Sequence, residues 1–198
     1  MAERRVRAPS WVVRCLRCRS LILSLAVIVA FGWLFCFTDT AKAEISPADK
    51  AAVEGILAAH HSPLPAYTIV AFAEDHPDFD IAGYLSVMWA ESSLGCAGRL
   101  NNPGSIKGGA VGSVWRDLRV GANARGYNRY ASIYDGQRAA IRLLYDRGYN
   151  TQLAAGDWWG FANRYYGRGV PGIGGYVANL KAAHGILVKE AAGYEALW

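Results

Sequence analysis

The chain has 198 residues, four cysteines and a formal net charge of +5. Residues 1–43 hold seven basic and two acidic side chains, so the whole excess lies there and residues 44–198 hold 14 of each sign. A neutral domain whose one cysteine is Cys96 excludes an electrostatic nucleic-acid binder and an intramolecular disulfide scaffold. Residues 44–198 are long enough for one domain with its own core.

The N-terminal segment has the order of an export signal. Six arginines precede an apolar run at residues 21–37, and the small-x-small sequence Ala41-Lys42-Ala43 follows it. This order predicts a cleaved signal peptide over residues 1–43, or an N-terminal membrane anchor, because roughly 17 apolar residues just span a bilayer. In both cases residues 44–198 are exported across the cytoplasmic membrane, so we expect a periplasmic, cell-wall or secreted protein.

Helical signals dominate the first half of the exported domain. Ser46-Pro47 predicts an N-cap and a first helical residue. The apolar residues 67–73 favour a second helix, with a strand as the alternative because Thr68-Ile69-Val70 is β-branched. Apolar side chains then recur at i, i+3, i+4, i+7 and i+8 from Ile81 to Trp89, which predicts an amphipathic helix. Gly95 is the expected end of that helix.

Residues 97–133 break the helical rhythm and predict a long loop or a small β-hairpin. So long an irregular segment is usually functional in a compact domain. Asp135 then predicts the N-cap of a helix over 136–147, and Asp157 predicts the cap of a helix over 158–166. A last helix is expected from about Tyr176 to Ala191, so the fold class is mainly α.

Glu91 is the candidate catalytic residue. It follows Tyr84 by seven residues and therefore shares its face of the helix. Burial and the negative helix end both disfavour a charged carboxylate, so its pKa should rise. A protonated carboxyl is what the cleavage of a glycosidic bond needs. A glutamate turned to solvent or paired with an arginine fits the geometry equally well.

Four segments resemble bacterial cell-wall enzymes. Residues 82–95, AGYLSVMWAESSLG, resemble the catalytic helix of the lysozyme-like superfamily. Residues 101–109, NNPGSIKGG, and 127–144 are similar to segments of the endo-β-N-acetylglucosaminidase family, which cleaves peptidoglycan. Residues 176–187, YVANLKAAHGIL, resemble the closing helix of that family and of lytic transglycosylases. The resemblance implies a lysozyme-like helical domain whose loop or hairpin flanks a sugar-binding cleft.

The resemblance also assigns roles to residues. It makes Glu91 the general acid and places Tyr176 opposite it. It places substrate-binding residues beside the acid and in the cleft floor: Ser92, Asn102, Gly104 and Lys107. The sequence departs from the glucosaminidases at Pro103-Gly104-Ser105, where the floor should differ.

Aromatic rings stack on the apolar faces of sugars. The candidates for such stacking are Trp115, Tyr130, Tyr165 and Tyr166. Asp117 is the candidate second carboxylate. Without it, single-acid chemistry remains, in which the acetamido or 6-hydroxyl group of the substrate attacks the anomeric carbon.

The sequence predicts neither a metal site nor a cofactor, since its four histidines are scattered. The expected partners are the glycan strands of peptidoglycan and, through residues 21–37, a membrane; we expect a monomer. Cleavage at N-acetylglucosamine linkages is the first interpretation. The alternatives are a lytic transglycosylase or muramidase that cuts the MurNAc-GlcNAc bond, and a non-catalytic peptidoglycan-binding protein on the same fold.

Overall fold

The computed structural model describes residues 45–108 and 118–196. They belong to a compact unit that spans Lys42–Trp198. The secondary structure runs in this order: α1 (Pro47–Ala59), α2 (Ala66–Asp75), α3 (Ile81–Ser92), a 3₁₀ turn (Arg99–Asn101), β1 (Arg119–Ala122), β2 (Asn128–Tyr130), α4 (Ile133–Asp146), α5 (Tyr149–Ala154), α6 (Trp158–Tyr165) and α7 (Ile173–Ala192). The mainly α prediction is confirmed. The predicted export segment, Trp115 and Asp117 lie outside the described residues.

Helix α3 is the centre of the domain. Asp80 caps it by accepting a hydrogen bond from the backbone N–H of Gly83 at 2.9 Å, and every residue from Ile81 to Met88 is buried. The sequence pattern predicts an amphipathic helix, but α3 is covered on all sides because α7, α5 and neighbouring loops enclose it. Its second face carries small residues such as Ser86, whose hydroxyl donates to the carbonyl of Ala82 at 2.6 Å.

The end of α3 leads directly into the site. Ser93 forms the C-cap in the left-handed region with φ 50°, and Leu94 and Gly95 continue with φ 56° and 87°. The predicted terminator Gly95 therefore lies two residues beyond the cap. Three successive left-handed residues turn the chain away from α3 toward the 3₁₀ turn.

The segment predicted to be a long loop or a small hairpin, residues 97–133, contains a small hairpin. Strands β1 and β2 pair antiparallel, and an isolated bridge between Lys107 and Tyr127 extends the pairing. The buried Asn102 fastens the preceding loop to this sheet. Its amide Nδ2 donates to the carbonyls of Ile106 at 2.9 Å and Asn128 at 3.1 Å, and its Oδ1 accepts from the N–H of Ile106 at 2.9 Å.

Helix α4 begins earlier than the sequence predicts, and the Asp135 cap is wrong. Ser132 is the N-cap, since its hydroxyl oxygen accepts from the N–H of Asp135 at 3.1 Å. Gly136, which follows Asp135, lies against the 3₁₀ turn. A Cβ atom on Gly136 would lie 1.7 Å from the carbonyl oxygen of Asn101. Only glycine permits so close a contact between the turn and α4.

The remaining helices close the domain around α3. The predicted Asp157 cap of α6 is confirmed, since its carboxylate accepts from the N–H of Gly160 at 2.9 Å. Helix α7 starts at Ile173, three residues before the predicted start, and packs along α3. Within the part of the chain that the structure describes, no helix is both long and apolar enough to cross a membrane.

Candidate active site

The structure brings Glu91 and Tyr176 together. Glu91 lies in the last turn of α3, and Tyr176 lies in the first turn of α7. The phenol of Tyr176 donates a hydrogen bond of 2.7 Å to Oε1 of Glu91. Because α3 and α7 pack along each other, this contact is positioned by the core of the domain.

Burial raises the pKa of the Glu91 carboxyl above its usual range. Hydrogen bonding by Tyr176, and then by Ser105, favours the carboxylate and opposes that rise. Burial and the neighbouring Glu91 carboxylate raise the pKa of Tyr176, so its phenol stays protonated and remains a donor. The pair is an acid that holds its proton to a higher pH than a free glutamate, with a fixed donor beside it.

Glu91 borders a cavity of about 450 Å³. Its walls come from the segment after α3, the 3₁₀ turn and the turn of the hairpin. The polar side chains among its lining residues belong to Glu91, Arg99, Asn102, Ser105, Asn123, Arg125 and Tyr127. Among the described residues of this lining, Glu91 is the one carboxylate.

Three residues predicted to bind substrate also make hydrogen bonds that hold the frame of the cavity. The buried Ser92 hydroxyl donates to the carbonyl of Pro103 at 2.7 Å and accepts from the N–H of Gly95 at 2.9 Å. The carbonyl of Gly104 accepts from the phenol of Tyr165 at 2.7 Å. Asn102 does line the cavity, but its carboxamide is occupied by the hydrogen bonds that join the loop to β2.

The predicted aromatic residues divide between core and surface. Tyr130 is 2% exposed and belongs to the core. Tyr165 stacks on Phe161 with ring centroids 5.1 Å apart. Tyr166 is exposed and stacks on Tyr176 at 5.0 Å, so it is the predicted ring that extends the surface beside the acid.

Lys107 and Tyr127 lie next to each other at the base of the hairpin. The Lys107 ammonium lies 4.9 Å from the centre of the Tyr127 ring, and its side chain is exposed. Lys107 is not among the residues that line the cavity, whereas Tyr127 is. Composition placed Tyr127 in the aromatic loop, but nothing in the sequence separated it from Tyr130, which the fold buries.

Ser105 hydrogen-bonds to Glu91 but was not among the site residues predicted from the sequence. It has φ 49°, in the left-handed region that disfavours most side chains. Seven non-glycine residues in the described ranges have positive φ, and five of them lie between residues 93 and 105: Ser93, Leu94, Leu100, Asn101 and Ser105. Strained backbone of this kind concentrates at functional sites, so its position beside Glu91 supports a functional cavity.

No group of three or more metal-binding side chains occurs in residues 45–108 or 118–196. His60 instead contacts Glu190, with Nε2 and Oε2 3.0 Å apart, and His184 packs edge-on against Trp158 at 4.9 Å.

Comparison with family models, curated proteins and solved structures finds no match to this chain.

Proposed function

We propose that this protein is an exported enzyme that cuts the glycan strands of peptidoglycan, with Glu91 as its general acid. One observation carries the proposal. A half-buried carboxyl of raised pKa, which accepts a hydrogen bond from a phenol at 2.7 Å, borders a cavity with polar walls, and an exposed aromatic ring lies beside it. The basic and apolar order of residues 1–43 supports export, and the segment resemblances support the lysozyme-like arrangement and the substrate.

The chemistry assigned to Glu91 is transfer of its proton to the oxygen between two sugars. The leaving sugar departs with that proton, and positive charge develops on the anomeric carbon of the other sugar. Tyr176 fixes the orientation of the carboxyl and stabilises the carboxylate that remains. Cleavage at N-acetylglucosamine linkages is the first interpretation, with water completing the reaction.

A second outcome needs only one carboxylate. Glu91 is the one carboxylate among the described lining residues of the cavity, and the candidate second carboxylate, Asp117, lies outside the described residues. In the alternative reaction, the 6-hydroxyl group of the substrate attacks the anomeric carbon and returns its proton to Glu91. No water is consumed and an anhydro ring forms, which is the outcome of a lytic transglycosylase.

The product ends distinguish these reactions. Purified peptidoglycan is digested with the full-length protein, and the fragments are identified by mass spectrometry. The Glu91→Gln variant is the negative control. Reducing N-acetylglucosamine ends support the first interpretation, and anhydro-MurNAc ends support the second; reducing MurNAc ends indicate a muramidase. If folded wild type sediments with peptidoglycan but releases nothing, the protein is a binding module and the enzymatic proposal is wrong.

A further inference from the structure

Positive charge is concentrated around the cavity that contains Glu91. Residues 44–198 are neutral overall, yet residues 96–133 carry six basic side chains and one acidic side chain. Two of the six, Arg99 and Arg125, line the cavity itself. The described parts of this segment, residues 96–108 and 118–133, hold five of these basic side chains and no acidic one, so the neutral net charge of the domain hides a local excess of positive charge beside the cavity.

The two arginines lie on two different walls, and both walls are held by hydrogen bonds. Arg99 opens the 3₁₀ turn, while Arg125 belongs to the turn between β1 and β2. In that turn, Oδ1 of Asn123 accepts from the N–H of Arg125 at 3.0 Å. Asn102 ties the 3₁₀ turn to β2. The backbone on both sides of the cavity is therefore in place before any ligand arrives.

Among the described residues, neither guanidinium has a partner that would give it a structural role. Within residues 45–108 and 118–196, neither group donates a hydrogen bond or pairs with a carboxylate, and both side chains are exposed. Arg119 nearby differs, since its Nε donates to the carbonyl of Gly121 at 3.0 Å. The pKa of Glu91 is raised by burial and lowered by hydrogen bonds from Tyr176 and Ser105. Neither Arg99 nor Arg125 is among the causes of its shift.

We infer that this cavity selects glycans that carry carboxylates, and that Arg99 and Arg125 bind those carboxylates. The inference rests on the proposed function of the cavity and specifies its substrate. A guanidinium matches a carboxylate with two parallel hydrogen bonds, and charge-assisted bonds are stronger than neutral ones. The carboxylate is borne either by an ether substituent of the sugar or by an attached peptide. A neutral polymer of N-acetylglucosamine offers neither.

Binding measured without cleavage tests the inference. Full-length Glu91→Gln protein serves as the inactive background, to which Arg99→Gln, Arg125→Gln or both are added. Arg129→Gln is the matched control, because Arg129 is an exposed β2 residue that does not line the cavity. The ligands are strands with peptides, peptide-free strands that keep the sugar carboxylate, peptide-free strands with that carboxylate amidated, and neutral N-acetylglucosamine oligomers. Circular dichroism checks that each variant is folded.

We expect each arginine substitution to weaken binding of carboxylate-bearing strands by about threefold to tenfold, and the pair by at least about tenfold. Binding of amidated strands and neutral oligomers should not change, and Arg129→Gln should bind like its parent. Added salt should weaken binding by the parent more than by the double variant. Retention of the effect on peptide-free strands assigns the carboxylate to the sugar, and its loss assigns it to the peptide.

Two results would overturn the inference. One is equal affinity of the parent for acidic and amidated strands; the other is an equal loss of binding to all ligands in the arginine variants. Failure of the proposed function looks different. If wild type cleaves no glycan but the arginine-dependent binding is present, the selectivity stands and the enzymatic proposal does not. If wild type cleaves acidic and neutral glycans equally well, the enzymatic proposal stands and the inferred selectivity for carboxylates is wrong.

Discussion

Helix α3 has a carboxyl group at each end, Asp80 at its start and Glu91 in its last turn. Burial raises the pKa of both, and each borders a cavity. The cavity at Asp80 has a volume of about 720 Å³, against about 450 Å³ at Glu91. By cavity size alone, the Asp80 end would be the better candidate for a ligand site.

The hydrogen-bond partners separate the two ends. Asp80 accepts from the N–H of Gly83 in its own helix at 2.9 Å, so its carboxylate is engaged as the N-cap of α3. Glu91 accepts from the phenol of Tyr176, which reaches it from α7. A cap carboxylate stabilises the helix by accepting a hydrogen bond from a backbone N–H. Within residues 45–108 and 118–196, Glu91 accepts from no backbone N–H, so loss of its proton breaks no helix cap there. A raised pKa and a large cavity therefore do not identify a catalytic acid by themselves.

Among the substitutions of residues that hydrogen-bond to Glu91, Tyr176→Phe should give the largest effect. It removes the phenol that orients Glu91 but keeps a ring for Tyr166 to stack on, so we expect kcat/KM to fall about tenfold to one hundredfold. The lost hydrogen bond favoured the carboxylate, so the pKa of Glu91 rises. The alkaline limb of the pH–rate profile should therefore move to higher pH. Tyr166→Phe is the control, and an unchanged profile in Tyr176→Phe would contradict the assigned role.

Asp80→Ala should affect stability and leave the chemistry alone. Loss of the cap is expected to lower the free energy of unfolding by about 1 kcal/mol, as measured by urea denaturation. Asp80→Asn keeps an acceptor at the cap and should lose less. A change of kcat/KM in folded Asp80→Ala comparable to that of Tyr176→Phe would remove the distinction between the two ends of α3.

Glu91→Gln should stabilise the protein at neutral pH by up to about 1 kcal/mol, because it removes a carboxylate that burial disfavours. The folded state binds the Glu91 proton more tightly than the unfolded chain, because the folded-state pKa is raised. Wild type therefore loses stability relative to the variant as the pH rises above the unfolded-state pKa of about 4.3. Thermal melts from pH 4 to 8 measure this; a gap that narrows with rising pH would show that Glu91 is stabilised as a carboxylate.

Ser105→Ala should give the smallest effect, a fall in kcat/KM of about twofold to fivefold. Its hydrogen bonding also favours the Glu91 carboxylate, so the alkaline limb should again move to higher pH, but less than in Tyr176→Phe. Ser105→Gly separates the hydroxyl from the backbone, because glycine adopts φ 49° without strain. Equal shifts in both variants assign the effect to the hydroxyl, whereas a shift in only one assigns it to the backbone.

Local chemistry made much of the fold predictable. The Ser46-Pro47 start of α1, the Asp157 cap of α6 and the apolar spacing of α3 are short-range signals, and the structure has helices at all three places. The cap of α4 was misassigned because Ser132 and Asp135 both fit the chemistry of a helix start. They contact each other, and only the backbone conformation shows which one caps.

The site was predictable where it depends on helix periodicity and not where it depends on loops. Glu91 could be placed on the face of Tyr84 from the residue count alone. Ser105 and the two cavity arginines could not be placed, since left-handed residues and a hairpin turn bring them to the acid. The sequence also did not predict that Ser92 and Gly104 hold the loop, because their hydrogen bonds join residues that are far apart along the chain.

The most direct test compares Glu91→Gln with Asp80→Asn, which convert the two carboxyls of α3 to amides. Release of soluble fragments from purified peptidoglycan is measured at equal concentrations of folded full-length protein, alongside wild type. We expect Glu91→Gln to lose at least about one thousandfold in rate, because a general acid and its orientation are removed together, while Asp80→Asn stays within about twofold of wild type. Activity retained in Glu91→Gln, or lost equally in both variants, would contradict the assignment of Glu91 as the acid.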